Sequence, residues 1–200
     1  MVTQVSPQPK LLSLQVPRDV TLTVTPEQFA ALAAANRELQ LERTATGELI
    51  VNPPTGGETG HRNFSITGQL SVWFEANDTL GIAFDSSTGF ELPNGANRSP
   101  DASWVRRERW DTLTSEQKKS FVPLCPDFVV ELRSESDRLD ELRVKMQEYM
   151  NNGAQLGWLI DPKNRQVEIY RAGQEVEVID NPSVLSGENV LPGFTLSLKR

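Results

Sequence analysis

The residue that points most clearly to chemistry is a glutamate within an apolar strand. Glu131 is flanked by Val130 and Leu132, and an unpaired charge buried against a core is costly. We therefore expect Glu131 either to pair with a basic group such as Arg133, or to face a polar cleft and hold a cation. A hard divalent cation at that position would need further oxygen ligands.

Asp101 is the candidate for a second ligand, because it stands at the start of another predicted strand, 102–105. Strand alternation places Asp127 on the same face as Glu131, but about 13 Å of extended chain separates the two, which is too far to share one ion. If the strand after Asp101 lies beside the strand of Glu131, the two carboxylates converge at the sheet edge. The alternative for Asp101 is a turn-forming role after Pro100.

Two residues of the next predicted helix could contribute to the same site. Lys145 and Tyr149 are four residues apart, so they lie on one helical face. A lysine directed at a metal-bound water could orient that water, while the metal lowers its pKa from about 15.7 toward neutrality. The alternatives are an ordinary exposed ion pair between Lys145 and Glu141, and simple packing of Tyr149.

Two further residues are candidates for the edge of this site. His61 stands near the start of a predicted helix, where it could meet a phosphate or the metal shell, although a structural or exposed position is the alternative. Glu42 lies on a predicted strand before a hairpin and could supply a third carboxylate. A basic run is either a solvated face or a cradle for a nucleic-acid backbone; it comprises Arg106, Arg107, Arg109, Lys118 and Lys119.

The surrounding sequence predicts the elements that must position these residues. Capping residues and apolar spacing predict helices over 25–36, 58–77 and 137–152. Alternating and β-branched segments predict strands over 38–44, 48–52, 80–85, 89–92, 102–105, 127–133, 156–160, 166–171 and 175–179. The first two strands are predicted to form a hairpin, and so are the next two.

These elements predict a mixed α/β (α+β) fold, because helices stand among strands without strict βαβ alternation. A mixed central sheet flanked by helices is the architecture that fits best. Residues 1–24 are rich in Pro, Ser and Thr and are interpreted as an N-terminal arm. Residues 25–200 are interpreted as a single domain.

Composition excludes several classes of protein. The 200 residues are 24% charged and 38% hydrophobic, which is typical of neither a disordered nor a membrane protein. The net charge of −7 excludes a protein whose whole surface binds nucleic acid, but it permits a local basic groove. The single Cys125 and single His61 exclude a disulfide framework and a multi-histidine metal site within one chain. No apolar run approaches the roughly 20 residues that span a bilayer, so we expect a cytoplasmic protein with no membrane partner.

An ordered set of motifs resembles the Uma family of restriction endonucleases, which belongs to the PD-(D/E)XK nuclease superfamily. The resemblance covers about residues 25–198. The motifs are Gly47-Glu48-Leu-Ile-Val, Pro53-Pro54 before His61, Ser99-Pro100-Asp101, Pro126-Asp127-Phe-Val-Val-Glu131-Leu-Arg-Ser134, Lys145-x-x-x-Tyr149, Gly153 and Trp158-Leu-Ile-Asp161-Pro.

This resemblance implies a restriction-endonuclease-like fold with the active site at one end of the central sheet. It implies that Asp101 and Glu131 bind Mg²⁺ or Mn²⁺. The lysine that the superfamily places two residues after the glutamate is Arg133 here. Arginine cannot serve as a base, because its pKa is above about 12. Lys145 would therefore have to supply the amine, and Arg133 could only stabilise charge.

The leading hypothesis is a Mg²⁺-dependent phosphodiesterase that cuts DNA. In it Asp101 and Glu131 hold the metal, while Lys145 positions the attacking water. Arg133 would stabilise the charge that develops on the phosphoryl oxygens. A second hypothesis is a catalytically silent member that binds nucleic acid or a protein partner, which the net charge and the missing strand lysine favour. A third is an interaction module that forms a homodimer through its N-terminal arm.

Overall fold

The computed structural model describes residues 20–198. The helices in this range are α1 (Pro26–Ala35), α2 (Gly57–Ala76), α3 (Arg107–Asp111) and α4 (Leu139–Asn151). The strands are β1 (Gln40–Arg43), β2 (Leu49–Asn52), β3 (Gly81–Asp85), β4 (Phe90–Glu91), β5 (Asn97–Arg98), β6 (Ala102–Arg106), β7 (Phe128–Leu132), β8 (Leu156–Asp161), β9 (Gln166–Arg171), β10 (Glu177–Asp180), β11 (Val184–Ser186) and β12 (Thr195–Ser197). No helix within the described range is long and apolar enough to cross a membrane.

A six-stranded mixed sheet forms the centre of the molecule, in the order β10-β9-β8-β7-β6-β3. Strands β7 and β8 run parallel, and every other neighbouring pair is antiparallel. A parallel pair needs a crossover connection, and α4 supplies it between β7 and β8. All five residues of β7 are buried, as expected for a strand covered on both faces. The predicted mixed α/β (α+β) fold is confirmed.

The two faces of β7 pack against different helices. On one face Val130 belongs to a core cluster with Leu70 and Trp73 of α2. On the other face Val129 belongs to a cluster with Met146 of α4. Because Glu131 follows Val130, alternation places the Glu131 side chain on the α4 side of the sheet. Polar side chains buried on that side need polar or charged partners.

A smaller four-stranded sheet, in the order β2-β1-β5-β4, lies beside the central one. The predicted hairpin of β1 and β2 is confirmed by their antiparallel register, in which Glu42 lies opposite Ile50. The predicted start of α1 is also confirmed, because Thr25 and Gln28 form a reciprocal capping box.

The second predicted hairpin, over 80–92, is wrong. Strand β3 pairs with β6 in the central sheet over five residues, whereas β4 pairs with β5 in the smaller sheet. The connecting residues cross from one sheet to the other, and the contact between the strands is made by side chains. Phe84 and Phe90 meet edge to face with ring centroids 5.4 Å apart.

The predicted N-terminal arm falls mostly outside the described residues, which exclude 1–19 and 199–200. Within the described part, Leu22 accepts a backbone hydrogen bond from Leu49, and Val24 donates one to Gly47. Residues 22–24 therefore run beside β2. The role of the arm in a homodimer stays a prediction.

Candidate active site

Two acidic residues that are 30 positions apart in sequence meet at one end of β6 and β7. The register of these strands pairs Ala102 with Val130, and continued by one residue it places Asp101 opposite Glu131. Directly opposed residues in an antiparallel pair have Cβ atoms about 4.5–5.5 Å apart. The backbone N–H of Leu132, the residue after Glu131, donates a 2.7 Å hydrogen bond to Asp101 Oδ2. The two predicted metal ligands therefore lie together at the strand ends.

Lys145 of α4 joins this pair from the helical side. Its Nζ lies 2.8 Å from Glu131 Oε1 and 2.8 Å from Glu42 Oε1. The Tyr149 hydroxyl, one turn further along α4, donates a 3.0 Å hydrogen bond to Glu131 Oε1. The structure thus brings together four predicted site residues, Glu42, Glu131, Lys145 and Tyr149. Glu141 instead lies near Arg138, at 3.5 Å.

Arg98 and Glu148 extend the cluster and were not anticipated from the sequence. The Arg98 guanidinium bonds Glu42 Oε2 at 3.1 Å and Glu148 Oε2 at 2.5 Å, and its side chain is 7% exposed. Arg98 stands three residues before Asp101, at the start of the same Asn-Arg-Ser-Pro-Asp segment, which is the sequence signal that could have identified it.

The cluster carries more negative than positive charge. Its carboxylates are Glu42, Asp101, Glu131 and Glu148, and its cations are Lys145 and Arg98. When all four carboxylates are ionised, the excess is two negative charges, which one divalent cation would balance. The raised pKa values of Glu131 and Asp101 oppose that fully ionised state.

The pKa values in the cluster follow from burial and from these pairings. Burial, together with the nearby charges of Asp101 and Glu42, raises the pKa of Glu131 to about 8 against the opposing effect of Lys145. Burial also raises the pKa of Asp101. Burial opposes ionisation of Glu42 as well, but Lys145 and Arg98 outweigh it and lower the pKa of Glu42.

The pKa of the Lys145 ammonium is raised. Burial alone would lower this pKa, but the charges of Glu131 and Glu42 outweigh that effect. Lys145 is therefore protonated at neutral pH. In the cluster it can donate hydrogen bonds and neutralise charge, but it cannot accept a proton.

Asn63 of α2 is a further member of the site that the sequence did not indicate. Its Nδ2 donates a 3.1 Å hydrogen bond to Asp101 Oδ1, while its own Oδ1 is buried and has no hydrogen-bond partner among the described residues. A buried carbonyl oxygen without a partner is costly. It is also the kind of neutral ligand that a hard cation accepts.

The donor set fits a divalent cation of the Mg²⁺ type. No group of three or more His, Cys, Asp or Glu side chains with metal-binding geometry occurs within residues 20–198. Mg²⁺, however, is usually held by one or two carboxylates together with waters and substrate phosphates. Asp101 and Glu131 supply the two carboxylates, and the unpartnered Asn63 oxygen stands beside them. The predicted Mg²⁺ or Mn²⁺ cofactor stays a prediction that this arrangement accommodates.

Arg133 lies apart from the cluster. Its guanidinium donates a 2.8 Å hydrogen bond to Asp161 Oδ2 and a 3.3 Å hydrogen bond to the carbonyl of Asp137. Its backbone N–H bonds the carbonyl of Ile160. Arg133 therefore fixes the end of β8 to the end of β7, and its predicted role in stabilising phosphoryl charge stays a prediction.

His61 is exposed on α2, two residues before Asn63, and faces a cavity beside the site. The basic run of α3 and the following segment is largely engaged in structural contacts. Arg109 and Arg106 lie 3.0 Å and 3.7 Å from the buried Asp127 carboxylate. Lys118 lies over the Trp110 ring at 5.1 Å, which favours the interpretation of this run as a structural face.

Comparisons with known proteins agree with this architecture. The profile of the Uma2 family, described as "Putative restriction endonuclease", matches residues 26–199. The chain belongs to the Uma2 family. This membership confirms the resemblance drawn from the motifs, and it identifies the chain as a member of a nuclease family.

Among solved structures, a crystal structure of a "putative nuclease belonging to DUF820" from Anabaena variabilis resembles this Uma2-family chain with a TM-score of 0.67. The two sequences are 22% identical, and the match covers 80% of this chain and 88% of that one. The likeness shows that the two chains share a fold. A cryo-EM structure of a DrdV–DNA complex matches with a TM-score of 0.34 and 15% identity, over 62% of this chain and 12% of that one, which is too distant for a structural argument. No curated protein matches the sequence.

Proposed function

We propose that this Uma2-family protein is an endonuclease that hydrolyses DNA phosphodiester bonds with the help of Mg²⁺ or Mn²⁺. The observation that supports the proposal is the meeting of Asp101 and Glu131 at the ends of β6 and β7, beside Lys145. Two carboxylates with raised pKa values lack a full complement of cations. A divalent ion would supply the missing charge.

Asp101 and Glu131 would hold the ion, with the Asn63 oxygen next to them. Bound there, a divalent cation would lower the pKa of a coordinated water and polarise a phosphoryl oxygen. Tyr149 and Lys145 hold Glu131 Oε1 by hydrogen bonds of 3.0 Å and 2.8 Å. These contacts fix the orientation of the carboxylate before substrate arrives.

Lys145 is proposed to position the attacking water and to stabilise negative charge as a protonated donor. Its ammonium has three N–H groups, of which two are directed to Glu131 and Glu42. The third remains for a water or a phosphate oxygen. Since Lys145 is protonated at neutral pH, the proton that leaves the water would not go to this side chain.

A catalytically inactive protein that binds nucleic acid or a protein partner is the second candidate function. The position of Arg133 favours it, because the strand lysine of the nuclease superfamily is absent and its replacement is bonded to Asp161. In that case the Asp101–Glu131 pair would be a remnant that binds ligand without cutting.

Plasmid cleavage tests the first candidate. Supercoiled DNA is incubated with Mg²⁺ or Mn²⁺ and with wild-type protein or the E131Q and D101N variants. We expect wild type to nick or linearise the plasmid, and each variant to be at least about 100-fold slower, since a metal ligand supplies several kcal/mol of transition-state stabilisation. E168Q is the matched control, because Glu168 is an equally buried strand carboxylate on β9 that pairs with Arg143 away from the site.

Wild-type protein that leaves the plasmid intact with either ion, and that shows no metal binding by calorimetry, would reject the enzyme. Salt-dependent gel shifts that a chelator does not change would then support the second candidate.

A further inference from the structure

A cavity of about 530 Å³ lies beside the candidate active site. Its walls come from the first turns of α2, from the turn between β8 and β9, and from the segments around Asn181 and Ser197. Pockets that hold small organic molecules have volumes of roughly 300–1,000 Å³. The cavity is therefore large enough for a nucleotide.

The cavity and the active site share two structural elements. Leu132 lines the cavity, and its backbone N–H donates the 2.7 Å hydrogen bond to Asp101. His61 and Arg62 of α2 also line it, two residues and one residue before Asn63, which contacts the same aspartate. A group bound in the cavity would therefore lie near Asp101 on the α2 side of β7, whereas Glu131 and Lys145 lie on the α4 side.

The floor of the cavity is apolar. The buried side chains of Ile66, Leu132, Ile160 and Val167 form this part. A flat, weakly hydrated nucleobase gains from such a surface by leaving water.

Cationic and polar side chains surround this apolar floor of the cavity. Among residues 20–198, Arg62 pairs with the exposed Glu58, at 3.4 Å, and exposed pairs are weak. No carboxylate lies within 4 Å of the Arg165 guanidinium among the described residues. The acidic residues of the lining are Glu58 and Asp161. The Asp161 carboxylate is neutralised by Arg133. A phosphate at this rim would meet the Arg165 guanidinium, which has no carboxylate partner among the described residues, on a protein whose net charge is −7.

Arg165 and Asn181 stand in the left-handed region, with φ values of 55° and 47°. The N–H of Asn181 donates a 2.6 Å hydrogen bond to the carbonyl of Arg165, so a backbone hydrogen bond joins the two residues with positive φ. Non-glycine residues rarely adopt this conformation, and asparagine tolerates it better than arginine does. The backbone at the cavity rim thus has a conformation that arginine does not favour.

We propose that this cavity binds an unpaired nucleotide of the DNA strand next to the cleaved phosphate, with its base on the apolar surface and its phosphate at Arg165 and Arg62. The inference rests on the proposed function, because it extends the same site to the form of its substrate. It predicts a preference for DNA with an unpaired base at the cut.

Binding of a fluorescein-labelled 12-nucleotide single strand in EDTA tests the proposal without any cleavage. R165N removes the guanidinium but keeps a residue that accepts the left-handed turn. We expect R165N to weaken binding about tenfold, the loss of one charge-assisted contact. The slope of log K against log salt should fall by about 0.7, the value for one phosphate contact with a single strand. K163N is the matched control, since Lys163 is an exposed lysine of the same turn that does not line the cavity.

A second pair of variants tests the cavity without changing charge. S65W fills the cavity from α2 and should weaken binding about tenfold, whereas S71W adds the same side chain to an exposed position of the helix outside the cavity. A strand without bases at its central positions should bind wild type about tenfold less tightly than the intact strand, and should bind S65W as the intact strand does. Equal binding of both strands to wild type, or unchanged binding by R165N and S65W, would overturn the proposal.

The same measurements separate this proposal from the proposed function. E131Q should lose cleavage and keep single-strand binding in EDTA. If wild type does not cleave DNA but R165N weakens single-strand binding, the nuclease function is rejected and the cavity proposal is supported. If wild type cleaves DNA, and R165N and S65W bind the single strand as tightly as wild type does, only the cavity proposal is rejected.

Discussion

Replacing Glu131 with glutamine is expected to remove a pH dependence of stability that the buried cluster confers. The pKa of Glu131 is raised from 4.5, its ordinary value, to about 8 in the folded protein. Between these two values the folded state holds a proton that the unfolded state has released. The free energy of unfolding therefore falls as pH rises through this range, and it levels off above pH 8.

The size of the effect follows from the two pKa values. Each unit of difference corresponds to about 1.4 kcal/mol. Between pH 5 and pH 7.5, linkage gives a loss of about 3 kcal/mol from Glu131 alone. This is a large fraction of the 5–15 kcal/mol typical of a domain. Glutamine keeps an acceptor for Tyr149 and Lys145 but does not titrate.

Urea unfolding in EDTA, followed by tryptophan fluorescence, measures the effect. Buried tryptophans at 73, 104 and 158 report loss of the core. The free energies of unfolding of wild type and E131Q are compared from pH 5 to pH 8, and the comparison requires that the two proteins have equal m-values. The difference between their free energies of unfolding should change by about 3 kcal/mol in favour of E131Q as pH rises from 5 to 7.5. E168Q should follow wild type.

Parallel curves for wild type and E131Q would refute the reasoning, because they would show that Glu131 titrates alike in both states. A divalent cation that binds the ionised form should reduce the loss seen in wild type at pH 7.5, by RT ln(1 + [L]/Kd). It should leave E131Q nearly unchanged.

Four other substitutions test the remaining contacts and the packing, with R138M as a control for R98M. K145M leaves two buried glutamates without their shared cation and should cost about 3–5 kcal/mol of unfolding free energy at pH 8 by urea titration, with partial recovery when E131Q is added. R98M should cost a similar amount, on the order of 3 kcal/mol, whereas R138M, which removes an exposed arginine, should leave the urea midpoint almost unchanged. G81A should destabilise by about 1–3 kcal/mol, because a Cβ there would clash with the backbone oxygen of Val105 and the indole ring of Trp104 on β6. G68A, at an open position in α2, should raise the thermal midpoint and stabilise by about 0.5–1 kcal/mol.

The core of the site was accessible from sequence because it depends on strong local patterns. Strand β7 is a continuous apolar run with one acid in it, and the strand after Asp101 is short, apolar and preceded by proline. The pairing of these two strands brings Asp101 and Glu131 together, as the hypothesis required. The position of Lys145 on the α4 face toward the sheet follows from helical spacing, but its choice of Glu131 and Glu42 over Glu141 depends on tertiary packing.

The features that sequence did not predict depend on short or interrupted elements. Arg98 lies on β5, a strand of two residues that is too short to show alternation. Arg133 continues the alternation of β7, but it stands just beyond the end of the strand, where its side chain turns to Asp161. The connection between β3 and β4 resembles a hairpin turn, yet the preference of each strand for a different sheet decides the pairing. No local pattern reports that preference.

The contact of Lys145 with two glutamates also has a mechanical consequence. Glu42 is part of the four-stranded sheet and Glu131 of the six-stranded sheet, so one ammonium joins the two layers at their boundary. Any anion that draws the ammonium away from Glu42 would loosen that boundary, and by reciprocity a looser boundary would favour capture of the anion. Amide exchange in β1 would then report the arrival of a phosphate at the Lys145 ammonium.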